Sequence, residues 1–407
     1  MSQTMQRLSR RRFLGGILAT ATAPLFIPAN ALGLGDRPAP SNRLVFGSIG
    51  VGGRGSGNTK SLCGFSEVQM VAVCDVRKDR RDAMKAVVDK IYGNSSCAAV
   101  NDYREITRRD DIDGILIGTP DHWHVPIAID AMRHGKDVFS EKPETLTVRE
   151  GQQLIEVVRR TGRVYSGGSQ RIWGDYNWFH RMVRSGALGE VKEVFVNVGG
   201  PSRPSNLPEE PIMPGLDWDL WLGPAPWVPF NRQLLNFRAW RDYSGGGMTD
   251  WGAHSFGGAL FACNLHMTGP TEIHPPDGKD YKYLTYIFAN GLRIYHGGAK
   301  GQHTFRGTKM EVSTGDMKRF PAPNLYIPNY KGSGGILGDF LHCVKTRQQP
   351  FRHVEVAHRT VSFCHIGNIC YWLNRPLKWD PVKEVFIGDD EANRWLSRPR
   401  RAPYQIA

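Results

Sequence analysis

With 407 residues, the chain is longer than the roughly 250 to 300 residues that one hydrophobic core usually fills, so two domains are expected. A composition of 40% hydrophobic and 22% charged residues, with 46 Gly and 26 Pro, excludes a disordered or fibrous chain and suits a turn-rich globular one. The net charge of +13 is owed in part to Arg7, Arg10, Arg11 and Arg12; elsewhere basic residues are interspersed with Asp and Glu, and apart from Arg398, Arg400 and Arg401 there is no basic block, which argues against a nucleic-acid partner.

Ser9-Arg10-Arg11-Arg12-Phe13-Leu14 joins a twin-arginine pair to an apolar stretch from Leu14 to Ile27, and Ala29-Asn30-Ala31 offers small-residue cleavage geometry. Residues 1–31 therefore read as a Tat signal, placing the mature protein in the periplasm or cell envelope. The alternative, a retained anchor, is weakened because the stretch is broken by Gly15, Gly16 and Pro24 and is short for a span of about 20 residues; no stable membrane anchor is expected after cleavage. A Gly/Pro-rich linker covers 32–42. The seven cysteines, at 63, 74, 97, 263, 343, 364 and 370, form no C-x-x-C pair, so neither a metal site nor a disulfide framework is signalled and buried free thiols are expected.

The short apolar run Leu44 to Ile49 leads at once into Gly50-Val51-Gly52-Gly53-Arg54-Gly55, a strand followed by a G-x-G-x-x-G turn. Glycines at these places make the tight turn, let backbone amides approach a pyrophosphate and pack helix against strand. A second apolar run, Val68 to Cys74, ends on Asp75, twenty residues beyond Gly55, where a carboxylate accepts hydrogen bonds from an adenosine ribose. Asp75 favours NAD, whereas Arg54, Arg77 and Lys78 stand close enough to answer a 2′-phosphate and leave NADP open. The alternation continues with a short helix Tyr103 to Thr107, a strand Gly114 to Gly118, a helix His124 to His134 and a strand Asp137 to Ser140. Strands separated by helices predict a Rossmann-type, doubly wound parallel α/β sheet over 43–165. The loop Thr119-Pro120-Asp121-His122-Trp123-His124 leaves the third of these strands at the carboxyl edge, so Thr119, Pro120, Asp121, His122 and His124 are cofactor-side candidates, packing being the alternative for both histidines.

The strand ending at Ser140 runs into Glu141-Lys142-Pro143, which sets Glu141 and Lys142 at the same edge. With the glycine turn, the loop at Asp121 and the segment Gly245-Gly246-Gly247-Met248-Thr249-Asp250-Trp251-Gly252-Ala253-His254, the chain resembles the glucose-fructose oxidoreductase/inositol dehydrogenase/MocA (Gfo/Idh/MocA) family, whose E-K-P and D-x-x-x-H words are both present. Asp217 to Pro224 and the closing stretch Leu377 to Asn393 look like its Tat-exported branch. The resemblance implies an NAD(P)-dependent oxidoreductase acting on a secondary alcohol of a sugar, glycoside or polyol. If Met248 to Cys263 is a helix, Asp250 and His254 share a face. His254 is then the expected base, Asp250 orients it or binds a neighbouring hydroxyl, and Lys142 polarises the reacting oxygen. The family commonly carries an aspartate three residues after the histidine, a place held here by Gly257.

Because free NAD is scarce outside the cytoplasm, a tightly bound, recycled cofactor is expected. Recycling on a second sugar fits the oxidoreductase reading. The alternative is a redox-neutral glycosidase, in which oxidation at a ring carbon acidifies the neighbouring C–H, the aglycone is expelled, water adds and the carbonyl is reduced again, as in the NAD-dependent N-acetylgalactosaminidases of the same superfamily. A third reading is a non-catalytic sugar-binding protein.

From Val191 onward alternating, β-branched segments (Val191 to Val198, Tyr281 to Phe288, Leu292 to His296, Lys309 to Val312) predict a C-terminal α+β domain over 166–407 with an open, mainly antiparallel sheet. Helices at Gly338 to Thr346 and His358 to Tyr371, within 333–380, are expected to pack back on the first domain. By the resemblance, the sheet implies a homo-oligomer. Trp173, Trp178, Trp218, Trp221, Trp227, Trp240 and Trp251 suit the faces of pyranose rings as well as core packing, and Arg171, Arg238 and Arg241 suit hydroxyls or a carboxylate as well as surface ion pairs.

Overall fold

The computed structural model describes residues Arg37 to Gln405; the twin-arginine segment and the proposed cleavage site lie outside them. Arg37 to Arg43 form a short unit of their own with one 3-10 turn at Pro40–Asn42.

Six parallel strands, β1 (Leu44–Ile49), β2 (Val68–Cys74), β3 (Ala98–Val100), β4 (Gly114–Ile117), β5 (Asp137–Ser140) and β6 (Tyr165–Gly167), lie in the order β3-β2-β1-β4-β5-β6. The four longer ones are the apolar runs expected from the sequence, because a strand covered on both faces has no polar face to show. Helices α1 (Gly53–Cys63), α2 (Lys78–Tyr92), α3 (His124–Arg133) and α4 (Val148–Thr161) supply the crossovers. α4 starts where Thr147 Oγ1 accepts the Glu150 N–H at 3.2 Å while Glu150 Oε2 turns back to accept the Leu146 N–H at 2.7 Å, and it ends at Gly162 in the left-handed region.

The second sheet has eight strands: β7 (Val191–Val196), β8 (Glu272–His274), β9 (Leu284–Ile287), β10 (Arg293–His296), β11 (His303–Gly307), β12 (Glu311–Ser313), β13 (Leu377–Asp380) and β14 (Val385–Phe386), in the order β12-β11-β7-β10-β9-β8-β13-β14. Only β7 and β10 pair in parallel; the other neighbours are antiparallel. Period-two alternation turns Val194 and Val196 into the core and Phe195 outward, where its ring stacks on Tyr295 at 4.6 Å.

The inner face of this sheet is covered by α6 (Asn177–Arg184), α7 (Gly247–Asp250), α8 (Gly252–Ala262) and the long α10 (Val354–Leu373), whose Phe363 stacks on Tyr286 at 3.8 Å, while α5 (Arg171–Gly174) packs on α8. α9 (Gly335–Thr346) lies on the parallel sheet through Phe340, which meets Phe46 and Phe139 at 6.0 and 5.7 Å. All seven cysteines are free and six are buried.

The expected continuous helix from Met248 to Cys263 is a correction. The chain forms α7 and α8 with Trp251 between them, so Asp250 closes one short helix and His254 lies in the first turn of the next.

Candidate active site

At the carboxyl edge of the parallel sheet the strand order reverses between β1 and β4, and there the chain leaves a cleft of about 490 Å³. Gly50 follows β1 with φ +79°, and a Cβ on it would meet Thr119 N at 2.5 Å; a Cβ on Gly55 would meet Gly50 O at 1.9 Å. Only glycine lets the turn, α1 and the β4 loop approach so closely. Gly50, Gly52, Gly53 and Arg54 line the cleft, as do Thr119, Pro120 and Asp121 from the facing loop.

At the end of β2, Asp75 Oδ2 accepts the Val51 N–H at 3.1 Å and Oδ1 accepts the Arg77 N–H at 2.9 Å, with burial pushing its pKa up against those two bonds. Arg77 turns to Asp79 at 2.6 Å and Lys78 pairs with Asp82, so neither of these expected phosphate partners is uncommitted. Arg80 instead lies over the glycine turn, its Nη1 2.5 Å from where a Gly52 Cβ would sit. Thr119 Oγ1 and Gln170 Oε1 line the cleft, buried and without a hydrogen-bond partner among the described residues. A turn of glycines with the Arg80 guanidinium over it, a buried carboxylate at the ribose position and orphaned polar atoms in the same cleft fit a dinucleotide.

At the other end stand Glu141, Lys142, Asp250 and His254. Glu141 Oε1 accepts from Asn58 Nδ2 at 2.6 Å and from Arg54 Nε at 3.2 Å. Lys142 Nζ donates to Asp250 Oδ1 at 2.5 Å and to its main-chain O at 3.0 Å, and Arg238 Nε stands 2.9 Å from the same Oδ1. Burial raises the Asp250 pKa, but Lys142 and Arg238 outweigh it and leave the carboxyl below its ordinary range. His254 has its pKa pushed down to about 2, first by burial and then by Lys142 and Arg171, so the ring is neutral. Its Nδ1 lies 2.7 Å from Ser169 Oγ; Asp250 does not orient it. Asp121, buried, accepts from Ser244 Oγ at 2.6 Å and is pushed up to about 7, chiefly by burial. Trp251, 41% exposed, stands at this end with the Arg171 guanidinium 5.0 Å from its ring centre.

Residues 44–169 match the NAD-binding Rossmann fold of the GFO_IDH_MocA oxidoreductase family, and residues 185–406 match that family's C-terminal alpha/beta domain. The chain belongs to the Gfo/Idh/MocA oxidoreductase family. Its cofactor is NAD. In fold, this Gfo/Idh/MocA chain is similar to the aldose-aldose oxidoreductase of Caulobacter crescentus, at 17% identity and a TM-score of 0.57 over 83% of this chain and 99% of that one. It is likewise similar to the scyllo-inositol dehydrogenase of Lactobacillus casei, at 14% identity and a TM-score of 0.57 over the same shares. In sequence it is 35% identical over 206 residues to glycosyl hydrolase family 109 protein 1 of Shewanella sp. (strain MR-4), and 34% identical over 206 residues to the alpha-N-acetylgalactosaminidase of Shewanella oneidensis. These matches take in 46% of this chain and 45% of each relative, so the chain spans less than half the length of the curated relatives it matches.

Three residues expected at the cofactor, Gly55, His122 and His124, lie elsewhere in this Gfo/Idh/MocA site. Gly55 does not line the cleft; it is the contact between α1 and the turn. His124 is also set back from it, 1% exposed, with Nδ1 2.8 Å from Pro143 O and Nε2 2.9 Å from Thr119 O. Burial lowers its pKa, so the neutral ring donates to one of these carbonyls, bracing the loop after β4 against the E-K-P turn. His122 packs the same way, with Nε2 3.0 Å from Trp221 O.

Trp221 and Trp251 line the cleft, while Trp173, Trp178, Trp218 and Trp240 pack internally and Trp227 is 61% exposed. Arg171 pairs with Asp175, Arg238 with Asp250, and Arg241 lies over Trp372 and Trp395. Sequence reasoning missed Arg80, Ser169, Gln170 and Ser244. For Ser169 the one available signal was its place in the turn Gly167-Gly168-Ser169, which becomes informative only once β6 is known to end there.

Proposed function

We propose that the chain is an exported NAD(P)-dependent oxidoreductase acting on a secondary alcohol of a sugar, glycoside or polyol, with its cofactor held tightly and recycled in the site. The observation that carries this reading is the meeting of Lys142, Asp250 and a neutral His254 at one end of the dinucleotide cleft. When bound, the nicotinamide supplies the hydride acceptor for the alcohol C–H. Lys142, held by two bonds to Asp250, donates to the alcohol oxygen and favours its negative charge as the proton leaves. His254 receives that proton at Nε2, which makes no hydrogen bond among the described residues. Its low basicity leaves Lys142 with the larger share of the work. Trp251 offers an exposed aromatic face to a sugar ring at the same end.

A redox-neutral glycosidase is the second reading, favoured by the match to the glycosyl hydrolase family 109 relatives. In it the same Lys142 and His254 would polarise a ring hydroxyl and take its proton while bound NAD accepts the hydride, elimination would expel the aglycone, and water addition and return of the hydride would complete the turnover. The twin-arginine segment supports export to the periplasm or cell envelope, and the outward face of the second sheet, with Phe195 and Tyr295, supports a homo-oligomer.

The test is to purify the protein without added nucleotide, identify by chromatography what denaturation releases, and offer glycosides and free sugars separately. NADH formation in a single turnover with free sugars supports the oxidoreductase reading, whereas aglycone release without net NADH supports the glycosidase. A protein that neither retains nor binds NAD and leaves every sugar unchanged overturns both.

A further inference from the structure

We propose that Ser169 is a positioning residue whose hydroxyl fixes His254 in the tautomer with the proton on Nδ1, leaving Nε2 open as a proton acceptor toward the cleft. Its bearing on turnover rests on the reading of His254 as the base; the tautomer assignment does not.

Ser169 is fully buried in the turn after β6, and its Oγ lies 3.1 Å from Ala253 O and 2.7 Å from His254 Nδ1. A carbonyl oxygen only accepts, and a serine hydroxyl has one proton. Both contacts are hydrogen bonds at once in a single arrangement: Ser169 O–H donates to Ala253 O, and His254 Nδ1–H donates to Ser169 Oγ. Were the hydroxyl to donate to the ring instead, the 3.1 Å approach to Ala253 O would carry no proton.

The serine has little freedom to do otherwise. A Cβ on Gly168 would meet the Glu141 Cα at 2.8 Å, so the turn is pressed against the E-K-P strand end and delivers the next residue to the first turn of α8. The imidazole also packs against Trp251, with ring centres 6.0 Å apart and planes at 70°.

The tautomer matters because the ring is neutral and has one N–H to place. An imidazole without a directing partner favours the proton on Nε2, the nitrogen that would have to receive the substrate proton. With Ser169 present, the alcohol O–H bond breaks, the new N–H bond forms at Nε2, the Nδ1–H stays on Ser169, and the C–H electron pair passes to the bound NAD. No tautomer exchange has to precede the step.

The test is 15N NMR of histidine-labelled protein at pH 7.5, with His254 assigned by its absence in His254→Asn. The parent is expected to show a protonated, pyrrole-type Nδ1 and a pyridine-type Nε2 for His254, and Ser169→Ala to exchange the two. In single-turnover reduction of bound NAD, Ser169→Ala is expected to lose about tenfold to a hundredfold in rate with little change in the sugar concentration giving half the maximal rate, below the full loss of a positioned base, about 10² to 10⁴. A parent ring protonated on Nε2 overturns the assignment whatever the variant does, and so does an unchanged pair of shifts in a folded Ser169→Ala. Parental turnover by His254→Asn would sink the base reading instead, and with it the catalytic bearing of Ser169.

Discussion

Gly55 and Gly57 stand two residues apart in α1, and the structure assigns them opposite responses to one added methyl group. At Gly55 the new Cβ would lie 1.9 Å from Gly50 O and 3.3 Å from the Gly118 Cα, both backbone, so no side chain can swing aside. Relief requires the start of α1 to move roughly 1 Å from the turn, an overpacking that costs about 1–3 kcal/mol and displaces the amides that face the pyrophosphate. Gly57 is exposed, within the helix, and its added Cβ would meet nothing within 4 Å. There Ala relieves the helix of a residue with too much freedom and gains about 0.5–1 kcal/mol. Gly55→Ala should lower the thermal midpoint and weaken NAD binding by tenfold or more, about 1.4 kcal/mol per tenfold. Gly57→Ala should raise the midpoint slightly and bind NAD as the parent does. Differential scanning fluorimetry of nucleotide-free protein and isothermal titration with NAD measure both effects. A Gly55→Ala protein that binds NAD within twofold of the parent at an unchanged midpoint would refute the closeness of the cradle.

Three further outcomes follow from the same geometry. Asp75→Ser removes the carboxylate at the ribose position while Arg77 and Arg80 remain at the cleft, so the affinity ratio of NAD to NADP, read by titration with each, should fall at least tenfold; an unchanged ratio assigns the choice to another group. Lys142→Ala leaves Asp250 paired with Arg238, so it should keep its midpoint and bound NAD yet lose about 10² to 10⁴ in single-turnover reduction, whereas near-parental reduction would make the lysine structural. Burial pushes His122 and His303 down to about 4 and His180 and His365 to about 3, so the stability these neutral rings support is present above pH 6.5 and is lost as pH falls. Between pH 7.5 and 5.5 these four rings, with His254 and His266 lowered in the same way, lose more stability than Asp121, raised to about 7, returns, so chemical unfolding should show a net loss as pH falls over this range; a flat profile would contradict the burial of these rings.

The first sheet was legible where its strands are long. Leu44 to Ile49, Val68 to Cys74, Gly114 to Ile117 and Asp137 to Ser140 are largely buried and appear as mainly apolar runs, whereas β3 and β6 have three residues each, too few to show any period. In the second sheet β11 escaped notice because His303, which looks polar, is buried with Nε2 2.9 Å from Ser255 O, while Arg306 points outward. The chemical residues at the cleft were legible as words, since E-K-P and D-x-x-x-H keep their members close in sequence. Their partners were not. Ser169 reaches His254 across 85 residues and Arg238 reaches Asp250 from another loop, and only the packed chain brings them together.

Gly257 shows the same limit from the opposite side. The sequence left open whether the acid missing from that place is supplied elsewhere. A Cβ at Gly257 would meet Ile172 Cδ1 at 2.6 Å and Thr360 Cγ2 at 3.0 Å, so a side chain could enter only if those of Ile172 on α5 and Thr360 on α10 turned aside. The wall beside His254 is therefore filled by side chains from neighbouring helices, whereas the cofactor turn is closed by backbone against Gly50 and Gly55. With glycine at that place, Asp250 is the carboxylate of the D-x-x-x-H segment at the cleft, and it is already shared between Lys142 and Arg238. A substrate hydroxyl here has to compete with both cations for that carboxylate, which is why Lys142 is the residue on which the proposed chemistry depends most heavily.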